Sequence, residues 1–404
     1  VSLGDLYRAQ RSKLKPEIIG LSIAREIIKK EHGSSVLLIE KESKIGLHAS
    51  GRNSGVLHSG IYYPSGSVKS KVCSLGGKEM ADYCHEHSLP IRHIGKVIVP
   101  TISSHDKRID LLYNRANKGG INAFIIDERE LHEIEPEARS ASGRALYSPD
   151  TAVIDPLSIL DKIVSELSNI TTILTDSIVT TYFPDKSKIV VNGKEVKYGK
   201  LYNAAGLYAD KIAHMFSAGE DYTILPFKGL YYQLVEDCGV SIKKLIYPVP
   251  NLDYPFLGIH SVTMIDGSVL FGPSSIPALG RENYSMIKGI NPIDLFSIGY
   301  HLYGKYISDG EFRKFTHEEM SKFTKNQFVS SAKSIVPKLH SKCLYKSKKV
   351  GIRAQLYNTV NKKLEMDFII ERVGNTVHVL NAISPAFTSA FSMAKIIVGN
   401  DHAY

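Results

Sequence analysis

The chain has 404 residues, 43% hydrophobic and 23% charged, the proportions of an ordinary soluble globular protein long enough for two domains sharing a core. No apolar run approaches the roughly 18 residues that cross a bilayer. The formal net charge of +9 comes from scattered lysines with no nucleic-acid recognition motif, so no nucleic-acid partner is expected. The charge fits solvated faces, steering of an acidic substrate, or a loose peripheral contact with an anionic inner-membrane surface. Four cysteines show neither a CxxC pair nor metal spacing, which reads as reduced thiols in a cytoplasmic protein and no metal site.

The opening stretch 1–17 is polar and basic and lacks a signal-peptide core. Arg8, Arg11, Lys13 and Lys15 would suit a transit peptide, but the stretch also carries Asp5 and Glu17, and its purpose stays open. Apolar periodicity predicts an amphipathic helix from Ile18 to Lys30, then a buried strand from Ser35 to Glu40. Helices follow over Val68 to His87, Arg108 to Gly119, Glu128 to Glu135 and Leu157 to Ser168, with a strand from Gly95 to Pro100 between the first two. Thr171 to Thr180, Ile189 to Val191 and Lys200 to Asn203 read as strands. Lys228 to Glu236, Lys244 to Pro248, Phe256 to Val262 and Ser268 to Gly272 form a mostly antiparallel sheet. Asn291 to Ile335 is mainly helical, Val377 to Leu380 a last strand, and Ala386 to Val398 a last helix.

Two segments carry the chemistry. Val36-Leu37-Leu38-Ile39-Glu40 is an apolar strand ending in an acid, and Glu40 follows Gly20 at the spacing of a ribose-binding carboxylate in a Rossmann unit. Ten residues on comes Ser50-Gly51-Arg52-Asn53-Ser54-Gly55-Val56-Leu57-His58-Ser59-Gly60-Ile61-Tyr62-Tyr63, whose glycines and small polar residues let backbone approach a flat, charged ligand.

The chain resembles the L-2-hydroxyglutarate oxidase/dehydrogenase family, within the flavoprotein group typified by D-amino-acid oxidase. The likeness extends from about residue 18 to the C-terminus. It is carried by these segments together with Asn203-Ala204-Ala205-Gly206, Pro226-Phe227-Lys228-Gly229, Pro255-Phe256-Leu257-Gly258-Ile259-His260, Gly351-Ile352-Arg353-Ala354-Gln355 and Asn381-Ala382-Ile383-Ser384-Pro385-Ala386. It implies an α/β fold: a discontinuous Rossmann-type FAD-binding domain (18–90, 151–220 and 345–404) and a substrate domain on a mostly antiparallel sheet (91–150 and 221–344), with 1–17 an atypical N-terminal segment. It also implies oxidation of L-2-hydroxyglutarate to 2-oxoglutarate on non-covalent FAD, with electrons passed to oxygen or a membrane quinone.

The family's opening G-x-G-x-x-G keeps only Gly20 here. Lys15 and Glu17 stand at the first two glycine positions around Pro16, and Arg8 to Leu14 is too polar for a buried central strand. Glu17 would bring a negative charge towards the phosphates. Three explanations remain open: a chain that has lost tight FAD binding, an altered start on a normal enzyme, or a rebuilt site that still holds FAD. A related FAD enzyme of another small hydroxy or amino acid and a cofactor-free remnant are the alternative functions.

Each site residue has a functional and a plain reading. Glu40, with Lys41 beside it, is a ribose ligand or a solvated strand end. Ser50, Asn53, Ser54 and Gly55 line FAD or form a polar turn. The resemblance places Ala205, Gly206, Gly351, Pro385 and Ala386 against the cofactor, with the last two at a helix start aimed at the flavin. His260 is the expected catalytic base or a packed core histidine. His58 faces the flavin or packs structurally. Arg353 clamps a carboxylate or forms a structural ion pair. Lys228 neutralises the second carboxylate or is solvated, and Tyr247 is a weaker candidate. The threonine-arginine pair that often follows the histidine is replaced by Val262-Thr263.

Overall fold

The computed structural model describes residues 17–44, 46–252 and 254–399. The expectations for Arg8 to Leu14, Lys15 and Pro16 lie outside the described residues.

One half holds two small sheets, each containing a parallel strand pair drawn from distant parts of the chain, with helices packed beside them. Ile18–Lys30 buries Ile19, Ile23 and Ile27 on one face and packs against the last helix, Ala390–Val398, and against Pro156–Leu167. The last of these starts where it does because Pro156 takes its first turn and the Asp155 carboxylate accepts from the Leu157 amide at 3.1 Å. Leu37–Ile39 pairs in parallel with Thr172–Leu174, and Leu201–Asn203 pairs in parallel with Thr376–Val379. Ile23, Ile163, Ile173, Val377 and Ile397 belong to one shared core. Among the described residues, Leu37–Ile39 and Leu201–Asn203 each have a hydrogen-bonded strand on one side only. Leu37–Ile39 is accordingly half-buried, where a parallel strand covered on both faces and both edges would be dry.

The other half is built on a six-stranded sheet in the order His260–Thr263, Val269–Gly272, Tyr222–Leu234, Leu344–Asn358, Lys363–Leu364, with Ile276–Pro277 also paired to Tyr222–Leu234. A four-stranded sheet (Leu245–Pro248, Lys96–Val99, Arg144–Ser148, Phe124–Asp127) backs it. Leu344–Asn358 runs antiparallel along the length of Tyr222–Leu234. The boundary expected at 345 therefore falls inside this sheet: the strand's backbone groups find their partners there, not in the two small sheets.

Three expected elements are shorter or broken, the first being the strand expected from Thr171 to Thr180, which is split into Thr172–Leu174 and Val179–Phe183. Phe256 to Ile259 is irregular and the strand begins at His260. The last helix begins at Ala390, because turns from Ile383 to Ala386 and from Pro385 to Ser389 precede it.

Helix Pro292–Ser308 starts on Asn291, whose side chain accepts from the Ile293 and Asp294 amides. It buries Asp294, Ile298 and Lys305 and leaves Ile293, Phe296, Tyr300, Tyr303 and Ile307 exposed, Phe296 at 78%. Their spacing puts them on one outward stripe. No helix among the described residues is long and apolar enough to cross a membrane.

Candidate active site

The loop after Leu37–Ile39 sets up the first part of the site. Glu40 lies at the strand end, where its carboxylate accepts from the Glu42 amide at 2.9 Å. Burial pushes its carboxyl up to about 7, and the nearby negative charge of Glu17 adds to this. Asn53 ties the next turn, accepting from the Gly55 amide at 2.8 Å and donating to the Ser50 carbonyl at 2.6 Å. Gly55 has φ of +70°, and a Cβ there would lie 2.4 Å from the Ile154 carbonyl oxygen, so only glycine fits. The Ser50 hydroxyl accepts from the Ile18 amide at 3.0 Å and so caps the first helix.

Glu17 enters the same place. Its carboxylate accepts from the His48 amide at 3.2 Å and the Ser50 amide at 2.6 Å. A carboxylate thus holds backbone N–H groups beside the N-terminus of Ile18–Lys30, where the local field favours an anion.

Lys41 is held in an ionic knot. Its ammonium bonds Glu282 at 2.6 Å, His48 Nε2 at 3.1 Å, and Glu42. Glu42, His48 and Glu282 could between them offer three metal-ligand atoms, but the Lys41 ammonium is already bonded to all of them. The His48 ring also meets the Tyr284 hydroxyl at 2.7 Å, and the Arg52 guanidinium lies over the Tyr284 ring.

Deeper in, the structure brings together His58, His260 and Arg353. His260 is 5% exposed and stacks on Tyr247 with ring centroids 4.0 Å apart. Its Nδ1 lies 2.9 Å from the Gly258 carbonyl oxygen. A carbonyl only accepts, so Nδ1 carries the proton and Nε2 the lone pair. Burial, with Arg353 and Lys96 nearby, brings the imidazole down to about 3, and burial with Lys96 and His260 does the same to His58. Both rings are therefore neutral near pH 7.

Arg353 donates to the Ser275 hydroxyl at 2.8 Å and lies over the Phe256 ring. The Ser275 amide is anchored by Glu319 at 2.7 Å. Among the described residues Arg353 makes no ion pair, although the Glu319 carboxylate is near enough to favour its charge. The hydroxyls of Tyr62 and Tyr247 are buried there without a hydrogen-bond partner among the described residues.

Lys228 is not part of this group. Arg353 is directly opposite Phe227 in the sheet, and Lys228 is opposite Ile352, so the two cations leave opposite faces. The Lys228 ammonium is bound by Asn283 and the Ser285 carbonyl, both at 2.9 Å. Gly351 pairs with Gly229 and would set a Cβ 3.4 Å from the Arg52 carbonyl oxygen, so the sheet touches the short helix Ala49–Arg52 here. Ala205 and Gly206 follow Leu201–Asn203, with Gly206 at φ of +54°. Gly20 is loosely surrounded, its nearest such contact being Leu38 at 4.0 Å. Pro385 and Ala386 occupy the turns before Ala390, not the helix start expected for them. Ser54 is half-buried beside Gly55.

Residues 18–399 match the DAO family, FAD dependent oxidoreductase. The chain belongs to this family of FAD-dependent oxidoreductases. It is 31% identical over 390 residues to L-2-hydroxyglutarate dehydrogenase of Indibacter alkaliphilus, covering 94% of this chain and 95% of that protein. It is 29% identical over 387 residues to the enzyme of that name from Escherichia coli, covering 94% and 90%. L-α-glycerophosphate oxidase from Mycoplasma pneumoniae, solved with FAD bound, has the same fold at a TM-score of 0.70 and 21% identity, covering 95% of this chain and 91% of that one. This DAO-family chain is thus an FAD-dependent enzyme acting on a CH–OH group.

Its residues fit that cofactor unevenly. The acid at the strand end and the neutral, partnerless groups around His260 suit the ribose and the reacting ring. At the phosphate end Glu17 already holds two amides.

Sequence reasoning passed over Lys96 and Tyr231, both buried beside this group. Lys96 had a signal: a lone charge opening the apolar run Lys96-Val97-Ile98-Val99.

Proposed function

We propose that the chain oxidises L-2-hydroxyglutarate to 2-oxoglutarate. The observation that carries this is a buried, neutral His260 with its Nε2 lone pair free, beside an Arg353 that lacks a carboxylate partner. The names of the relatives support this substrate, and the geometry of the site supports the following roles. Arg353 binds the carboxylate next to the hydroxyl-bearing carbon. His260 takes the hydroxyl proton at Nε2 while hydrogen leaves that carbon with its electron pair. Bound FAD supplies the two-electron acceptor. Bound carboxylates would also raise the His260 imidazole from about 3 back towards neutrality, which makes it a better base only once substrate is present. Glu40 and the 50–55 segment hold the cofactor non-covalently, and His58 borders its ring.

We also propose a membrane quinone as the final acceptor, with the Ile293, Phe296, Tyr300, Tyr303 and Ile307 stripe resting on the lipid surface. An exposed aromatic and aliphatic helix face on a chain of net charge +9 is suited to that contact. Sedimentation with anionic vesicles, lost on Phe296→Asp, tests it.

For the reaction, visible absorbance of the FAD-loaded protein is followed on anaerobic addition of L-2-hydroxyglutarate. Bleaching supports the reading. Bleaching by another hydroxy or amino acid, but not by this one, overturns it.

A further inference from the structure

Lys96 opens the strand Lys96–Val99, a run buried at every position. It pairs with Leu245–Pro248 on one edge and Arg144–Ser148 on the other, so the backbone that carries Lys96 is fixed. The side chain is 1% exposed. Its ammonium lies 4.9 Å from the Tyr62 ring centre and 5.4 Å from that of Tyr247. The Cys73 thiol is also near it, but among the described residues no carboxylate, carbonyl or hydroxyl accepts a hydrogen bond from it.

An ammonium removed from water without an anion is costly, and contact with two tyrosine rings offsets only part of that. Burial brings the amine down to about 8, so it stays mostly protonated at neutral pH. Every other buried lysine here has an oxygen partner: Lys69 the Met366 carbonyl, Lys228 Asn283, and Lys305 Asp309. Lys96 instead faces the reaction group. It and Arg353 both act on His260, and it acts on His58 as well. Two cations with no carboxylate in ion-pair contact among the described residues thus lie near one neutral imidazole, with Tyr247 stacked on that ring and within reach of the Lys96 ammonium.

We propose that Lys96 receives the distal carboxylate of a dicarboxylate substrate, while Arg353 holds the carboxylate beside the reacting carbon, with His260 near both. This rests on the reading of His260 and Arg353 given above. It assigns to Lys96 the second-carboxylate role that Lys228, on the opposite sheet face, does not fill. It also makes Lys96 the residue that separates a dicarboxylate from a monocarboxylate of the same 2-hydroxy acid type.

The test uses two probes that differ only in the distal carboxylate, 2-oxoglutarate and 2-oxobutyrate, titrated calorimetrically into the FAD-loaded protein. The wild type is expected to prefer 2-oxoglutarate by about tenfold or more, the worth of a hydrogen bond between charged groups. Lys96→Met should abolish that preference while leaving 2-oxobutyrate affinity essentially unchanged, and Lys96→Arg should keep part of it. If Lys96→Met fails to fold, Lys96→Gln takes its place. A variant that keeps the wild-type preference, or weakens both probes equally, overturns the role of Lys96 alone. A wild type with no preference overturns the dicarboxylate reading and this assignment together.

Discussion

Replacing Glu17 should move two properties in opposite directions. In the apo protein its carboxylate satisfies the His48 and Ser50 amides at 3.2 and 2.6 Å. A hydrogen bond to a charged group is worth about 1.5–3 kcal/mol net, and partial exposure of Glu17 argues for about 1 kcal/mol each, or about 2 kcal/mol together. Glu17→Gly should therefore lower apo stability by up to that amount. A phosphate seated at the same amides must first displace the carboxylate and overcome its charge. Removing it should tighten FAD binding by about thirtyfold, the equivalent of about 2 kcal/mol. Glu17→Gln, which still accepts but carries no charge, should fall between. Flavin fluorescence titration of the apo protein gives the affinity and thermal melting the stability. FAD affinity equal to or weaker than wild type in both variants would refute the idea that Glu17 competes for the phosphate site.

Other outcomes follow from the same geometry. His58 and His260 ionise near 3 in the fold against an ordinary 6.5, so the unfolded chain binds more protons between those values. Apo stability should thus fall as pH drops from about 6.5 towards 3, and His260→Asn should reduce that slope in pH-dependent melts. Glu40 behaves in the opposite sense: its folded value near 7 lies above the usual 4.5, so its contribution is present below 4.5 and lost as pH rises through 7. Glu40→Gln should raise the apo melting temperature above pH 7 while weakening FAD binding, and unchanged melting would count against its burial. Arg353→Met should raise the KM for L-2-hydroxyglutarate by about tenfold to a hundredfold; an unchanged KM would remove Arg353 from carboxylate binding.

Much of the architecture was legible because its signals are local. Periodicity located Ile18–Lys30, and an apolar run located Leu37–Ile39. The Asp155-Pro156 pair marked a helix start through a cap and a fixed φ. The errors arose where tertiary contacts decide. Phe256 to Ile259 is apolar enough for a strand, yet its side chains fill space around Arg353 and Phe227 without a ladder. Leu344–Asn358 looked like a return to the cofactor half because nothing local reveals its partner. The site divides in the same way. The histidines and Arg353 were visible as residue types in matching segments. The face from which Lys228 projects depends on register against Leu344–Asn358, and the partnerless state of Lys96 depends on what surrounds it; neither is written in nearby sequence.

The first and last described helices lie against each other, with Ile18–Lys30 packed on Ala390–Val398. Both helices must therefore have left the ribosome before that contact closes, and the antiparallel sheet between them can assemble earlier. Contacts of such long sequence separation carry a large loop-closure cost and form late. Until then the apolar faces of Ile18–Lys30 and Pro156–Leu167 are open to other chains. Loss of Ala390–Val398 from the end would consequently disable the half of the protein that begins at residue 18, while leaving the sheet that bears His260 and Arg353 largely able to form.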